Sequence, residues 1–280
     1  MCRIKNLILI FLIIAPASLF AQQMNIVSFN IRYNTPNDGE NAWPNRVEMV
    51  TELLQFHDAD IFGLQEALYE QITDIENELP NHEWFGVGRD DGEKAGEFSP
   101  IFYNKTKFIL VKHGEFWLSE DCNKPGLGWD AVCNRIVTWG KFKSKVTGKH
   151  FLVFNTHFDH RGNEARKNSA FLIRDKIKEI SNNRGLPIIL TGDFNLTPDS
   201  EPIKLIKGFM KDSREISETS PYGPVGTFTS FDWNAPMEKR IDYIFVQGGI
   251  KVLKYAVLTD AKNQRFPSDH LPVFVKVELK

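Results

Sequence analysis

The stretch Ile188-Ile189-Leu190-Thr191-Gly192-Asp193-Phe194-Asn195 runs four apolar or β-branched residues into a glycine, then sets Asp and Asn two positions apart. A short apolar run bounded by Gly reads as a buried strand. If the extended conformation persists, Asp193 and Asn195 face the same way. On its own, an Asx turn that closes a strand explains the stretch as well as a functional site does. The balance shifts because the same kind of ending recurs. Strands or strand exits elsewhere finish at Asn30, Glu66, His157, Asp242, and Asp269 with His270. Buried carboxylates and imidazoles are costly unless paired or metal-bound, and strand ends are where loops build clefts. A lone His157 would be an ordinary structural histidine. Six such endings point to metal and phosphate chemistry.

Outward from that stretch, apolar runs of strand length alternate with a few amphipathic helices. A strand is expected over 26–32. Val47, Val50 and Leu54, and then Leu68, Ile72, Ile75 and Leu79, follow helical spacing on either side of a short strand over 60–64. Segments 100–103 and 107–111 read as a hairpin across Asn104-Lys105-Thr106, and 135–143 pairs with 149–157 across Gly148. A third helix places Ala170, Ile173, Ile177 and Ile180 on one face and ends at Gly185-Leu186-Pro187. After a Pro- and Ser-rich stretch near 197–224, strands are expected over 240–246, 251–258 and 271–279. Hairpins mixed with strand-helix-strand units imply an α/β fold of mixed sheets with helices outside. No long linker divides the chain, so a single domain is expected over 22–280.

At the N-terminus, Arg3 and Lys5 precede an apolar run from Leu7 to Ile14, followed by Pro16, Ser18 and Ala21. This is the pattern of a secretory signal peptide over 1–21, with Ala17 an alternative cleavage point. The run is short for a spanning helix of about 20 residues. Export to the periplasm or the extracellular space is expected, with no stable membrane insertion after cleavage. The full chain carries 34 Lys+Arg against 36 Asp+Glu, a net charge of -2, and losing Arg3 and Lys5 makes it two units more acidic. That balance argues against a nucleic-acid coat protein or a membrane-surface polycation. A hydrophobic share of 42% excludes global disorder. Cleavage also removes Cys2 and leaves Cys122 and Cys133 around a loop rich in Gly, Pro, Asn and Asp. In an oxidising compartment the pair is either a disulfide closing that loop or two free thiols.

The segments Ser28-Phe29-Asn30-Ile31-Arg32, Gly63-Leu64-Gln65-Glu66, Asn155-Thr156-His157, Thr191-Gly192-Asp193-Phe194-Asn195, Arg240-Ile241-Asp242-Tyr243 and Ser268-Asp269-His270 resemble, in order, the motifs of the endonuclease/exonuclease/phosphatase superfamily. That group includes secreted DNases, AP endonucleases, bacterial sphingomyelinases, deadenylases and inositol polyphosphate 5-phosphatases. The resemblance implies a four-layer sandwich of two packed mixed β-sheets flanked by helices, DNase I-like, and divalent-metal-dependent cleavage of phosphate esters. It implies Glu66 as the direct metal ligand, with Asn30 and Asp269 completing or orienting that shell. Mg²⁺ is the implied ion, with Mn²⁺ or Ca²⁺ as alternatives; Mg²⁺ takes few carboxylates and keeps waters and a substrate phosphate. Asp193 would hold or deprotonate the attacking water, and Asn195 would donate to a nonbridging phosphate oxygen. Two histidine-carboxylate dyads follow: His270 with Asp242, and His157 with Glu97, which stands where the secreted DNase branch carries such a glutamate. Arg32 occupies the position where AP endonucleases carry Asp, which sets DNA repair aside.

Substrate identity is less sharply written. Arg135 is suited to clamp a phosphate and Trp129 to stack on a sugar or base, although core packing explains Trp129 equally. Lys141, Lys143 and Lys145 alternate onto one strand face, and Arg161, Arg166, Lys167 and Arg174 decorate the third helix. Each set reads as a solvated face or as a track for nucleic acid. Phe116, Trp117 and Trp129 would suit a membrane-entering hairpin, but they suit a core as well. The exported, mildly acidic character favours a monomeric phosphoesterase acting on a small or sugar- or lipid-linked phosphate. A secreted nuclease, with nucleic acid as substrate only, is the alternative. An inactive extracellular binding module comes third, since fold does not fix function; loss of catalysis would normally delete a carboxylate or an imidazole, and here the set is complete.

Overall fold

Alternation along each strand decides which layer it joins. The structure is a computed structural model that describes residues 22–182 and 184–279; the expected signal peptide and Cys2 lie outside these residues. One sheet contains β1 (Gln22–Asn30), β2 (Ile61–Gln65), β3 (His82–Phe85), β4 (Ile101–Asn104), β11 (Ile250–Val257) and β12 (Val273–Leu279), ordered β11-β12-β1-β2-β4-β3. The other contains β5 (Phe108–Trp117), β6 (Ile136–Ser144), β7 (His150–His157), β8 (Ile188–Asp193), β9 (Lys211–Asp212) and β10 (Asp242–Gln247), ordered β5-β6-β7-β8-β10-β9. Both are mixed: β1 runs parallel to β2, and β7 to β8, while the other pairs are antiparallel.

Helices α1 (Val47–Phe56) and α2 (Tyr69–Glu78) cover the outer face of the first sheet. There Val50, Leu54, Ile72 and Ile75 meet Val27, Phe29, Phe62 and Leu64. Helices α3 (Asn163–Ser181) and α4 (Glu201–Lys207) cover the second, where Ala170, Ile173, Ile177 and Ile203 meet Leu152, Phe154, Ile188 and Leu190. The residues between these, Ile26, Ile61, Val153, Ile189 and Ile244, turn inward and form the apolar layer between the sheets. The result is the four-layer sandwich implied above. Among the described residues no helix is long and apolar enough to cross a membrane.

The inward-facing series changes character along the strands. Ile26 is followed by Ser28 and Asn30, Ile61 by Gly63 and Gln65, Val153 by Asn155 and His157, and Ile189 by Thr191 and Asp193, all buried. Asn155 is the joint between the two sheets. Its Nδ2 donates to Leu64 O at 2.7 Å and Pro100 O at 2.9 Å, while its Oδ1 accepts from Gln65 Nε2 at 2.7 Å and Thr191 Oγ1 at 3.0 Å. Gly63 makes room: a Cβ there would collide with the Asn155 amide and Thr191 Oγ1.

One expectation is corrected. Segments 100–103 and 107–111 do not form a hairpin; β4 stays in the first sheet and β5 begins the second. The turn itself forms, with Asn104 Oδ1 accepting from Thr106 N at 2.9 Å. Both edges of β4 are already taken, by β2 and by the short β3, so the chain must cross. Lys107 is anchored on Asp60 and Phe108 enters the layer between the sheets. The Pro- and Ser-rich stretch near 197–224 also carries structure: α4, β9 and a single helical turn, α5 (Ser213–Ile216), with Arg240 holding buried Asp212 through two hydrogen bonds.

Replacing Asn155 by Ala removes four buried hydrogen bonds and leaves Pro100 O with only Leu64 N at 3.1 Å and Gln65 Nε2 with only its longer contacts to Gly63 O and Ser28 Oγ, so the expected cost is about 3–4 kcal/mol. Urea unfolding of the purified variant measures it; a change below about 1 kcal/mol would contradict the role given to Asn155.

Candidate active site

Neighbouring strand ends form the floor of a cleft. Parallel pairing of β7 with β8 sets His157 beside Asp193, and antiparallel pairing of β8 with β10 sets Asp242 on the other side of Asp193. In the facing sheet Asn30 pairs with Gln65, so Glu66 follows immediately. Asn30 Nδ2 links the two rows, donating to Glu66 Oε1 at 3.1 Å and Asp193 Oδ2 at 3.0 Å.

The backbone does not stay extended past these ends. Asp193 Oδ1 accepts from Asn195 N at 2.8 Å, and Asn195 swings to φ 52°. Asn30 Oδ1 accepts from Arg32 N at 3.0 Å, and Arg32 swings to φ 57°. The Asx turn and the site are therefore one device used twice. The first oxygen of each side chain caps its own turn, and the remaining polar atom faces the cleft. After Asp193 the turn carries Asn195 Nδ2 to 3.0 Å from His157 Nε2. After Asn30 it aims Arg32 at Asp38, at 3.0 and 3.1 Å, and to 3.8 Å from Glu66. Asn30 thus orients Glu66 and Asp193 through Nδ2, while its Oδ1, which accepts from Arg32 N, keeps a second lone pair.

Burial acts on four titratable groups with different outcomes. His270 Nδ1 meets Asp242 Oδ2 at 2.9 Å and its Nε2 lies 3.8 Å from Asp193 Oδ2. Burial opposes its charge, but Asp242 and Asp193 hold the imidazolium well above the usual histidine range. His157, 3.5 Å from Asp193, is pushed well below that range by burial and by the charges of Arg135 and Arg89. Asp193 is raised to about 7 by burial and by Asp242, against the pull of His270. Asp269 is also raised, by burial and by the nearby charge of Glu66.

The cleft encloses about 610 Å³ and is lined by Arg32, Glu66, Glu97, Arg135, His157, Asp193, Asn195, Asp269 and His270 among others. Of the two expected dyads, His270 with Asp242 is hydrogen-bonded. Glu97 is not: its Oε2 lies 4.0 Å from His157 Nδ1, and both its oxygens are taken by Arg89 at 2.6 and 2.8 Å. Arg135 is only 5% exposed, with Nη2 3.2 Å from His160 Nδ1 and no protein partner for Nη1. Trp129 is not brought to the cleft. Its left-handed φ of 53° and the Glu120 carboxylate on its N–H fix it in the outer loop. Cys122 and Cys133 are both free thiols rather than a disulfide. Cys122 packs on the apolar cluster beneath α3, and Cys133 sits 3.6 Å from Asp159 at the cleft. Phe116 and Trp117 are buried, so no aromatic wedge is presented there to a bilayer. Sequence reasoning missed Arg89, Asp159, His160, Phe228, Phe231 and Lys239. Only Asp159-His160 carried a signal, as the direct continuation of the Asn155-Thr156-His157 strand.

Glu66 and Asp269 make an all-oxygen set whose mutual repulsion a hard cation relieves, so these residues fit Mg²⁺. Two other groups with closely spaced ligand atoms do not. In Asp193–Asp242–His270 the imidazole lies between the two carboxylates, Nδ1 2.9 Å from Asp242 and Nε2 3.8 Å from Asp193. In Cys133–Asp159–His160 the Arg135 guanidinium holds His160, and Asp159 accepts from the backbone N–H of Val132, Arg161 and Gly162.

Fold and site together define a phosphate-ester hydrolase. The sequence matches the model of the Endonuclease/Exonuclease/phosphatase family over residues 27–270, and the chain belongs to that family. A mannosyl-6-phosphatase from Bacteroides thetaiotaomicron is 43% identical, with a TM-score of 0.87 over 91% of this chain and 99% of that one. An uncharacterised protein of Acanthamoeba polyphaga mimivirus is 28% identical over 91% of this chain and its own full length. The 3'-5'-exoribonuclease subunit Ccr4 of Kluyveromyces lactis is 23% identical over 85% of this chain, which spans 38% of that protein.

Asp242→Asn removes the principal partner of the His270 cation, so in metal-free protein the His270 titration, followed by ¹³C or ¹⁵N NMR, moves to lower pH. The sign for stability follows: a raised folded-state value stabilises below the unfolded histidine value and fades as pH rises through the folded one. An unchanged His270 titration in the variant refutes the dyad.

Proposed function

We propose that the protein is an exported, Mg²⁺-dependent phosphatase that hydrolyses a phosphomonoester borne by a sugar. The observation that carries this reading is the Asp193 carboxylate, set between His157 and His270 and steadied by Asn30 at the floor of the cleft. With a pKa of about 7, Asp193 is half-ionised near neutrality and takes a proton from an attacking water. The water oxygen bonds to phosphorus as the ester oxygen leaves. Protonated His270 donates to one nonbridging oxygen. Arg135 Nη1, which has no protein partner, offers a donor to another, and Asn195 Nδ2, bonded to Phe158 O at 3.1 Å and His157 Nε2 at 3.0 Å, adds one by exchanging the His157 contact for the phosphate. His157 stays neutral beside Asn195. Glu66 and Asp269 would hold the Mg²⁺, which supplies Lewis-acid neutralisation of charge on the phosphoryl group and leaving oxygen.

Two features favour a compact sugar phosphate over a polymer. The first is the mannosyl-6-phosphatase among the similar structures. The second is that the lysine row of β6 does not lead to the cleft. Lys141, Lys143 and Lys145 lie six or more positions along the chain from Arg135 at the cleft end of β6, about 20 Å or more at strand rise. On α3, Lys167 is paired with Glu201 and Arg174 with Asp175, while Arg166 is held at the cleft rim by the carbonyls of His160, Asn195 and Arg161. A nuclease is the second reading, favoured by the similarity to Ccr4. Export rests on residues 1–21 alone.

Released phosphate from a panel of hexose phosphates, bis-p-nitrophenyl phosphate, DNA and RNA, assayed with Mg²⁺ and after EDTA, tests the reading. Hexose phosphates are expected to lead, with activity lost in EDTA and restored by Mg²⁺; preference for DNA or RNA overturns it. Asp193→Ala and His270→Ala should each lower kcat by at least about 10³-fold with circular dichroism unchanged. Near-normal turnover in either variant removes that residue from the mechanism.

A further inference from the structure

One wall of the cleft takes no part in the phosphate chemistry just described. Phe228, Ser230, Phe231 and Lys239 line it. Two adjacent residues there, Ser230 at φ 54° and Phe231 at φ 62°, adopt the left-handed conformation that side chains with a Cβ avoid. Consecutive non-glycine residues of this kind persist only where the surroundings hold them, and such strain collects at ligand sites. Here the restraint comes from the active site itself. Thr229 N and Ser230 N donate to Asp269 O at 2.8 and 3.1 Å, and Phe231 N donates to Thr229 Oγ1 at 3.2 Å.

The Phe231 ring is half-buried, and the Arg46 guanidinium carbon lies 5.3 Å from its centroid. Arg46 is itself immobilised. It is 2% exposed and donates to the carbonyls of Asn41, Ile31, Pro267 and Arg32 at 2.6, 2.7, 2.7 and 3.2 Å. A ring backed in this way keeps its position without a ligand, which lowers the ordering cost of stacking. Polar residues line the same cleft. Ser230 is next in sequence, Asn41 holds Arg46 through its backbone carbonyl, and Lys239 lies over Phe228, whose ring packs edge-on against His270 at 5.0 Å. An apolar face bordered by hydrogen-bonding groups, beside the imidazole that meets the phosphate, matches a pyranose ring: C–H groups on one face and hydroxyls around the edge.

We infer that Phe231 is the platform on which the sugar of the leaving group stacks, and that it sets preference for ring-bearing phosphomonoesters over acyclic ones. This rests on the sugar-phosphate reading above. The platform makes contact before and during the reaction alike, so its loss raises KM and spares kcat.

The test compares wild type with Phe231→Ala, Phe231→Leu and Phe231→Trp on hexose 6-phosphates and on glycerol 3-phosphate. Phe231→Ala and Phe231→Leu should raise KM for the hexose phosphate about tenfold with kcat within about threefold, while kcat/KM on glycerol 3-phosphate stays within about threefold. Phe231→Trp should keep the hexose KM. The Leu variant preserves apolar bulk, so it separates lost stacking from a collapsed loop. An unchanged hexose KM in Phe231→Ala overturns the platform and leaves the phosphatase reading standing. Equal losses on both substrates make Phe231 a structural prop and also overturn it. Wild type that turns over no hexose phosphate overturns both. Wild type that prefers nucleoside 5'-phosphates, with that preference lost in Phe231→Ala, overturns the sugar and puts a base on the ring.

Discussion

The four hydrogen bonds of Asn155 are the constraint on which the rest of the molecule depends. Two sheets packed face to face are ordinarily held by apolar contact, which is strong but does not fix register. One buried amide with every donor and acceptor filled does fix it. Asn155 belongs to β7, yet it bonds to the backbone of β2 and of Pro100 and to side chains on β2 and β8. Slipping one sheet over the other by one residue would break the three of them that cross between the sheets, to Gln65, Leu64 and Pro100. Because His157 lies two residues beyond Asn155 and Asp193 two beyond Thr191, the lock also sets the distance between the two rows of active-site residues.

The site is the end of the core rather than an addition to its surface. Each central strand keeps facing inward while its residues pass from aliphatic to amide to ionisable. The polar residues nearest the apolar layer bond to one another, and those nearest solvent are left with spare valences. Low dielectric then does opposite things to chemically similar groups. His270, between two carboxylates, is kept charged; His157, facing two arginines, is kept neutral. Asp193 lies between them with its proton near balance at neutrality. One geometry therefore makes a single carboxylate the proton acceptor, with a cationic imidazole 3.8 Å and a neutral one 3.5 Å from its Oδ2.

The parts of this design that are legible in sequence are those written within a few residues. Strand alternation, helical spacing, the Gly148 turn and the six polar strand endings all express local rules, and each element they imply forms within a few residues of its expected bounds. The crossing between β4 and β5 was not legible, because Asn104 specifies a turn but not which sheet lies beyond it, and four-residue β3 carried no readable period. The pairing of Glu97 with Arg89 was hidden for a related reason. Both residues sit in an irregular loop, and a carboxylate with an arginine in reach takes the two-pronged bond rather than the single bond to His157. Asn195 was placed correctly at the site on a wrong premise: a left-handed turn, not continued extension, delivers it.

Arg46 shows why some of the most consequential residues leave no mark of their own. Its sequence context, at the start of α1 between Asn45 and Val47, is that of a solvated charge. In the fold it is almost fully buried and answers to no carboxylate at hydrogen-bond distance, only to four backbone carbonyls drawn from three separate segments. Burial pulls it down to about 10, so it remains charged at neutrality. Carbonyl dipoles meet the guanidinium without cancelling its charge, which leaves that charge to act on Asp269, Asp38 and Glu66 nearby. A carboxylate in their place would neutralise it and add one more anion beside Glu66 and Asp269. The carbonyl cage therefore joins the loops after β1 and before β12 while leaving a positive field at the mouth of an acidic site.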